Sequence, residues 1–263
     1  MPDIMNILDK IIQTKREEMT VSRAEKPFET LYEEAKTVSR PVVSFSEALL
    51  NSESGIIAEF KRKSPSKGWF RADADPREIV AGYATAGAAA VSVLTDREYF
   101  GGSLDDLRTA RTVTDIPLLR KDFIIDPYQI CEARIAGADV ILLIAAALTP
   151  AQCSELAAFA RSLGLEVLLE LHNESELGHV NKHIHVVGIN NRDLTTFVTD
   201  TSVSLRMAGQ IPEGFVKISE SGISDPGTVR ELRNAGYSGF LMGENFMKQE
   251  HPQDALQNFI KAL

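Results

Sequence analysis

From residue 55 onward the chain alternates short, β-prone apolar runs with longer segments of helical spacing. The runs fall at 55–60, 90–94, 117–119, 140–144, 166–170, 186–189, 215–218 and 239–242. Several are nearly continuous, as in Val140-Ile141-Leu142-Leu143-Ile144, which suits parallel strands buried on both faces. Between them, Asp75-Pro76 opens a helix, and Ala86-Gly87-Ala88, Ile135-Ala136-Gly137-Ala138 and Asn234-Ala235-Gly236-Tyr237 each close one. Proline fits the first helical turn and glycine the left-handed residue beyond the last. Eight such units, in about the ~250 residues usual for the class, predict a closed α/β architecture over 55–263, the (β/α)8 TIM barrel. An open doubly wound sheet is the alternative, but it usually has fewer strands, and no GxGxxG follows the first run.

Residues 1–50 carry a different pattern. Ile4, Ile7, Leu8 and Ile11 recur at helical spacing among charged residues, predicting a helix over 4–19 ahead of the barrel. Ser44 and Glu47 have the Ser-x-x-Glu spacing of a capping box and open a second, short helix. The whole of 1–263 then reads as one domain, with 1–50 a helical extension. At 263 residues and 44% hydrophobic, the chain can bury a full core. Its 28 basic against 37 acidic residues give a net charge of −9, which argues against nucleic acid or an anionic membrane as partner. The longest apolar run, nine residues over 140–148, is less than half of the roughly 20 needed to span a bilayer. Residues 1–10 lack the basic and apolar regions of a secretory signal. Cys131 and Cys153 lie in helix-like segments without CxxC or zinc-ligand spacing and read as buried free thiols of a reducing compartment. A cytoplasmic monomer is expected.

Against this acidic background, Lys61, Arg62, Lys63, Lys67 and Arg71 stand together with no Asp or Glu among them, predicting an anion-binding mouth after the first strand. Barrels carry their chemistry at the C-terminal ends of the strands. The polar residues there are Glu59 and Lys61, Lys121 and Asp122, Glu170, Asn190 and Arg192, and Glu220 and Ser221. Four carboxylates and two lysines in one mouth are equipment for acid–base catalysis, since neighbouring charges and burial shift protonation. Any single one of them reads equally well as a member of a structural ion pair at the rim. Barrels commonly hold phosphate on the loops after strands 7 and 8. Ser219-Glu220-Ser221-Gly222-Ile223 and Leu241-Met242-Gly243-Glu244 occupy that place. There Gly222 and Gly243 would admit close backbone approach, Lys61 a countercharge, and Glu244 its N–H rather than its carboxylate. His179, His183 and His185 cluster near Glu174 and Glu176 but show no HExxH pattern. A solvated helix end explains them, and no metal is assigned.

These residues resemble the indole-3-glycerol phosphate synthase family: Ile56 to Ser66, Leu118 to Phe123, Gly188 to Leu194 and Ser219 to Ile223 all carry its motifs. The resemblance extends to Ser92-Val93-Leu94-Thr95-Asp96, Tyr99 to Ser103, Glu170-Leu171-His172 and the N-terminal helix with Lys15-Arg16-Glu17-Glu18, and so covers essentially the whole chain. It implies a tryptophan-pathway lyase that converts 1-(2-carboxyphenylamino)-1-deoxyribulose 5-phosphate to indole-3-glycerol phosphate, with loss of carbon dioxide and water and without a metal or organic cofactor. Carried over, Lys121 would be the general acid of ring closure and Glu170 the base of dehydration, with Lys61 and Glu59 assisting. Asn190, Glu220 and Ser221 would orient the substrate. Ser64, Phe123, Arg192, Gly222, Gly243 and Glu244 would line its binding site, Phe123 against the aromatic ring.

Trp69 and Asn245-Phe246 depart from the family pattern, without removing a proposed catalytic group. A Schiff-base aldolase or sugar-phosphate isomerase on the same fold, using Lys121 or Lys217 as amine or Glu170 as base, is a competing enzyme class. An inactive phosphate-ligand sensor is the non-enzyme alternative.

Overall fold

The computed structural model describes residues 7–193 and 195–263; Ile4 lies outside them. Three helices precede the barrel: α1 (Ile7–Glu25), α2 (Phe28–Thr37) and α3 (Phe45–Asn51). The first runs six residues past the predicted end at Met19. Strand β1 (Ile56–Phe60) follows, then a small antiparallel hairpin of β2 (Lys63–Ser64) and β3 (Gly68–Trp69). The remaining strands are β4 (Ala90–Leu94), β5 (Leu118–Lys121), β6 (Val140–Ile144), β7 (Glu166–Leu171), β8 (Val186–Asn190), β9 (Val216–Glu220) and β10 (Gly239–Met242). All but the hairpin strands join in one closed parallel barrel of order β1-β10-β9-β8-β7-β6-β5-β4.

Outer helices fill the connections: α4 (Pro76–Thr85), α5 (Leu104–Arg111), α6 (Pro127–Ala136), α7 (Pro150–Ser162), α8 (Ser202–Met207), α9 (Pro226–Asn234), α10 (Glu244–Met247) and α11 (Pro252–Lys261). Four of them start alike, with proline in the first turn and Asp75, Asp126, Thr149 or Asp225 accepting a backbone N–H at the cap. After β7 the connection is a 3-10 segment, Glu174–His179, instead of the α-helix expected after every strand.

Inside the barrel, Ile57, Leu119, Leu142, Leu168 and Ile218 form one buried cluster, closed at the N-terminal end by Phe45 and Leu49 of α3. Burying each of these side chains contributes about 1.5–3 kcal/mol. The Ser44 hydroxyl accepts the Glu47 N–H (3.1 Å), but it is Glu166, across the barrel end, that takes the Ser44 hydroxyl (2.6 Å) and the Ser46 N–H (2.8 Å). The capping box is thus only half local. Asp139 is fully buried at this end, held by Arg40 and Arg111 (2.8 Å each) and by the N–H groups of Val43 and Leu118.

At the opposite end α1 is anchored by a buried cation. Lys15, 2% exposed, reaches Asp96 (2.8 Å), Asp122 (3.2 Å) and Glu18 (2.8 Å). The hairpin folds over the same end, where Trp69, 55% exposed, rests on Gly101: a Cβ there would lie 2.5 Å from the indole.

Candidate active site

Several strands run further than the apolar pattern predicts. Backbone pairing carries β5 through Lys121, β7 past Glu170, β8 to Asn190 and β9 to Glu220. The apolar run stops where side chains begin to face the mouth, while the ladder, made by backbone groups, continues. Glu59, Lys121, Glu170, Asn190 and Glu220 are therefore held on rigid strand ends rather than on loops.

They border a cavity of about 380 Å³ that also touches Lys61, Ser64, Phe123, Arg192, Ser221, Gly222, Gly243 and Glu244. At its floor the Lys121 Nζ donates to Glu170 Oε2 (2.7 Å) and Glu220 Oε2 (2.8 Å), and Lys61 Nζ lies 2.6 Å from Glu59 Oε1. Burial alone would lower the Lys121 pKa, but Glu170, Glu220 and Glu59 outweigh it and raise it, so the lysine is an ammonium. Burial likewise opposes ionisation of Glu170, yet Lys121 and His172 hold its carboxyl well below the usual range. Glu220 goes the other way: burial, reinforced by the Glu170 and Glu59 charges and only partly offset by Lys121, pushes it up to about 7.

The mouth is built by close approach. A Cβ on Gly188 would sit 2.6 Å from Glu220 Oε1, and one on Gly243 2.5 Å from Glu59 Oε1. Gly243 thus makes room for a carboxylate, a role separate from the phosphate contact expected of it. Ser221 and Gly222 both adopt left-handed backbone, φ 68° and 76°, and the Asn191 amide holds the turn by donating to the Ser221 carbonyl (3.0 Å). Phe123 pairs with Phe100, ring centroids 6.0 Å apart, as an aromatic wall.

Three expectations need correction. The cations of 61–71 are not unopposed. Lys61 meets Glu59, Arg62 grips Asp106 with two bonds, Lys63 donates to the Glu98 carbonyl, Lys67 reaches Glu244 (2.5 Å), and Arg71 donates to the carbonyls of Gln249 and Glu250. Their partners come from distant sequence, which a local count of charges does not register. Of the four carboxylates, Asp122 does border the cavity, but its carboxylate is taken up by Lys15, Arg120 and Thr95 and it is not one of the carboxylates on Lys121. Lys217, the second Schiff-base candidate, donates to the Ala208 carbonyl (3.0 Å) and does not border the cavity. Asn190 turns its Oδ1 to the Arg192 N–H (3.1 Å), and Arg192 reaches the Ser66 hydroxyl (3.3 Å).

Sequence reasoning placed His172 in a family motif but gave it no role. Its Nε2 lies 3.2 Å from Glu170 Oε1, and its Nδ1 3.6 Å from Glu176 Oε2. Placement two residues beyond Glu170, hence on the same face of an extended segment, was the available signal. Of the clustered histidines, His179 is tied to the carbonyls of Glu176 and Leu148, and His185 accepts the Val167 N–H. Among the described residues no group of three His, Cys, Asp or Glu has metal-site geometry.

With this geometry in view, residues 8–259 match the family model of indole-3-glycerol phosphate synthase. The chain belongs to that family. Its curated relatives include the indole-3-glycerol phosphate synthase of Bacteroides thetaiotaomicron, 54% identical over 98% of this chain and 99% of that one. The Salinibacter ruber protein of the same name is 47% identical over 96% and 94%. In fold alone, the barrel resembles a chain of the tryptophan synthase α2β2 complex from Pyrococcus furiosus, at TM-score 0.59 and 14% identity, over 81% of this chain and 98% of that one. The family match spans the strands that carry Glu59, Lys121, Glu170 and Glu220.

Proposed function

We propose that the cavity binds 1-(2-carboxyphenylamino)-1-deoxyribulose 5-phosphate and that Lys121 is the general acid of its cyclisation. The observation that carries this reading is the Lys121 ammonium held between two carboxylates at the cavity floor. As the carboxylated ring carbon attacks the ketone carbon, the carbonyl oxygen gains negative charge, and Lys121 donates its proton there to give a hydroxyl. Loss of carbon dioxide restores the aromatic ring. The hydroxyl then leaves as water, carrying a proton from Lys61 with Glu59 beside it, while Glu170 takes the proton of the neighbouring ring carbon next to the nitrogen, so that the carbon–carbon double bond of the indole forms as the carbon–oxygen bond breaks. Positioning contributes alongside proton transfer, because the flexible sugar chain must be folded onto the ring.

The phosphate is assigned to the Ser221–Gly222 turn and the backbone around Gly243 and Glu244, with Lys61 nearby and Ser64 and Arg192 at the mouth. The Glu244 side chain is occupied by Lys67 and serves the hairpin. Phe123 and Phe100 take the anthranilate ring, and Asn190, Glu220 and Ser221 orient the join between ring and sugar. Indole formation in metal-free buffer with chelator tests the activity. Lys121→Met should lower kcat by about 10²–10⁴-fold while a non-reacting substrate analogue binds within roughly tenfold, or about 1.4 kcal/mol; turnover that survives the change would require another proton donor.

We also infer one domain acting as a cytoplasmic monomer. Support comes from the contacts of Lys15, Arg40 and Ser44 that tie the N-terminal helices to the barrel and from two buried, unpaired cysteines. Among the described residues, no helix is long and apolar enough to cross a membrane. Light scattering at twice the monomer mass would refute the monomer.

A further inference from the structure

Both oxygens of Glu170 have a basic side chain beside them: Oε2 accepts from Lys121 (2.7 Å), and Oε1 lies 3.2 Å from His172 Nε2. The two are not equivalent. If Lys121 gives its proton to the substrate, one cation disappears at the step before Glu170 must itself accept a proton. A carboxyl this buried, with Glu220 beside it, would then be driven toward its neutral form, which cannot act as a base. Something has to keep it charged.

His172 is placed to do so. Behind it Glu176 faces Nδ1, and the Glu176 carboxylate is fixed by the backbone N–H of His172 (2.7 Å) and the side-chain amide of Asn173 (3.2 Å). The imidazole thus has a carboxylate within ion-pair distance on each side, at 3.2 and 3.6 Å; neither ring nitrogen makes a hydrogen bond, and it is the two negative charges that favour the imidazolium. The charged groups facing it are Glu170 from β7, Glu176 from the 3-10 segment and, at longer range, Asp193 from the loop after β8. Lys121 and Glu220 stand beyond Glu170. No other cation among these groups remains in contact with Glu170 once Lys121 is neutral.

We propose that His172 is a positioning residue: as an imidazolium seated on Glu176, it fixes Glu170 and keeps it a carboxylate after Lys121 has given up its proton. It contacts no reacting atom; its effect passes through Glu170. The proposal rests on the reading of Glu170 as base. Burial would lower the His172 pKa, but the two carboxylates outweigh burial and push it up to about 10, in keeping with this role.

Nitrogen-15 spectra of the imidazole in the unmodified protein at pH 8 test the charge directly. Two protonated ring nitrogens are expected; a neutral tautomer overturns the proposal, whether or not any variant folds. Profiles of kcat against pH, which report groups in the enzyme–substrate complex, test the consequence. In His172→Asn the acid-side loss of activity should move up by about one pH unit or more, as removal of an adjacent opposite charge does. In Glu176→Gln the acid side should stay in place while a new loss appears on the alkaline side, where the imidazolium now deprotonates. A uniform loss at every pH would mark a merely structural side chain and sink the idea. If Glu170→Gln retained turnover, the base assignment would fall, while the nitrogen-15 result would still report the charge of His172.

Discussion

Among single residues, the active site consists of charges whose neighbours decide their state. Lys121, Glu170 and Glu220 were legible as candidates because each ends an apolar run, but their distances and opposed pKa directions were not, since these come from residues 49 or more positions apart in sequence brought together by the closed barrel. Gly188 was not legible at all: a glycine inside a strand says only that something comes close. Here that neighbour is the Glu220 carboxylate, 2.6 Å from where a Cβ would be. Gly188→Ala should displace Glu220 and reduce kcat at least about tenfold, equivalent to ~1.4 kcal/mol of barrier, with the barrel's circular dichroism unchanged. Steady-state kinetics on the purified variant decide it; wild-type kcat would mean that Glu220 can shift without cost to catalysis.

Single elements show where periodicity reaches its limit. Helix caps and the eight barrel strands follow from the alternation of apolar runs, prolines and glycines. The β2–β3 hairpin does not, because two-residue strands leave no periodic signal in a stretch dense with charge. In α1, Leu8, Ile11, Ile12 and Met19 supply the apolar stripe, while Lys15 on the same stripe is a buried charge. A sequence reading takes such a lysine for a solvated one, as its partners Asp96 and Asp122 lie on other elements. Lys15→Met should leave Asp96 buried without its cation, while Asp122 keeps Arg120, and cost about 3–5 kcal/mol. Urea unfolding checks this: a loss below ~1 kcal/mol would assign the pair the small worth of a surface ion pair.

For the whole molecule, the two ends of the barrel use charge differently. At the closed end Asp139 and Glu166 are saturated by arginines, hydroxyls and backbone N–H groups, and they hold the structure together. At the open end Glu59, Glu170 and Glu220 share Lys61 and Lys121 at the cavity, and Glu220 is disfavoured as an anion. A raised pKa in the fold means stability fully present below the unfolded value near 4.5 and lost as pH rises through about 7. Thermal melts should therefore show Glu220→Gln losing less stability than the wild type between pH 5 and pH 8 while turning over more slowly, the trade expected where function needs strained charges. An identical pH dependence in both proteins would mean that Glu220 ionises without strain. The chain's only tryptophan, Trp69, sits half-exposed on the hairpin above this strained end, its ring against Gly101. The molecule therefore carries its own optical reporter at the mouth: its intrinsic emission comes from the hairpin, so movements there can be timed in the unlabelled enzyme.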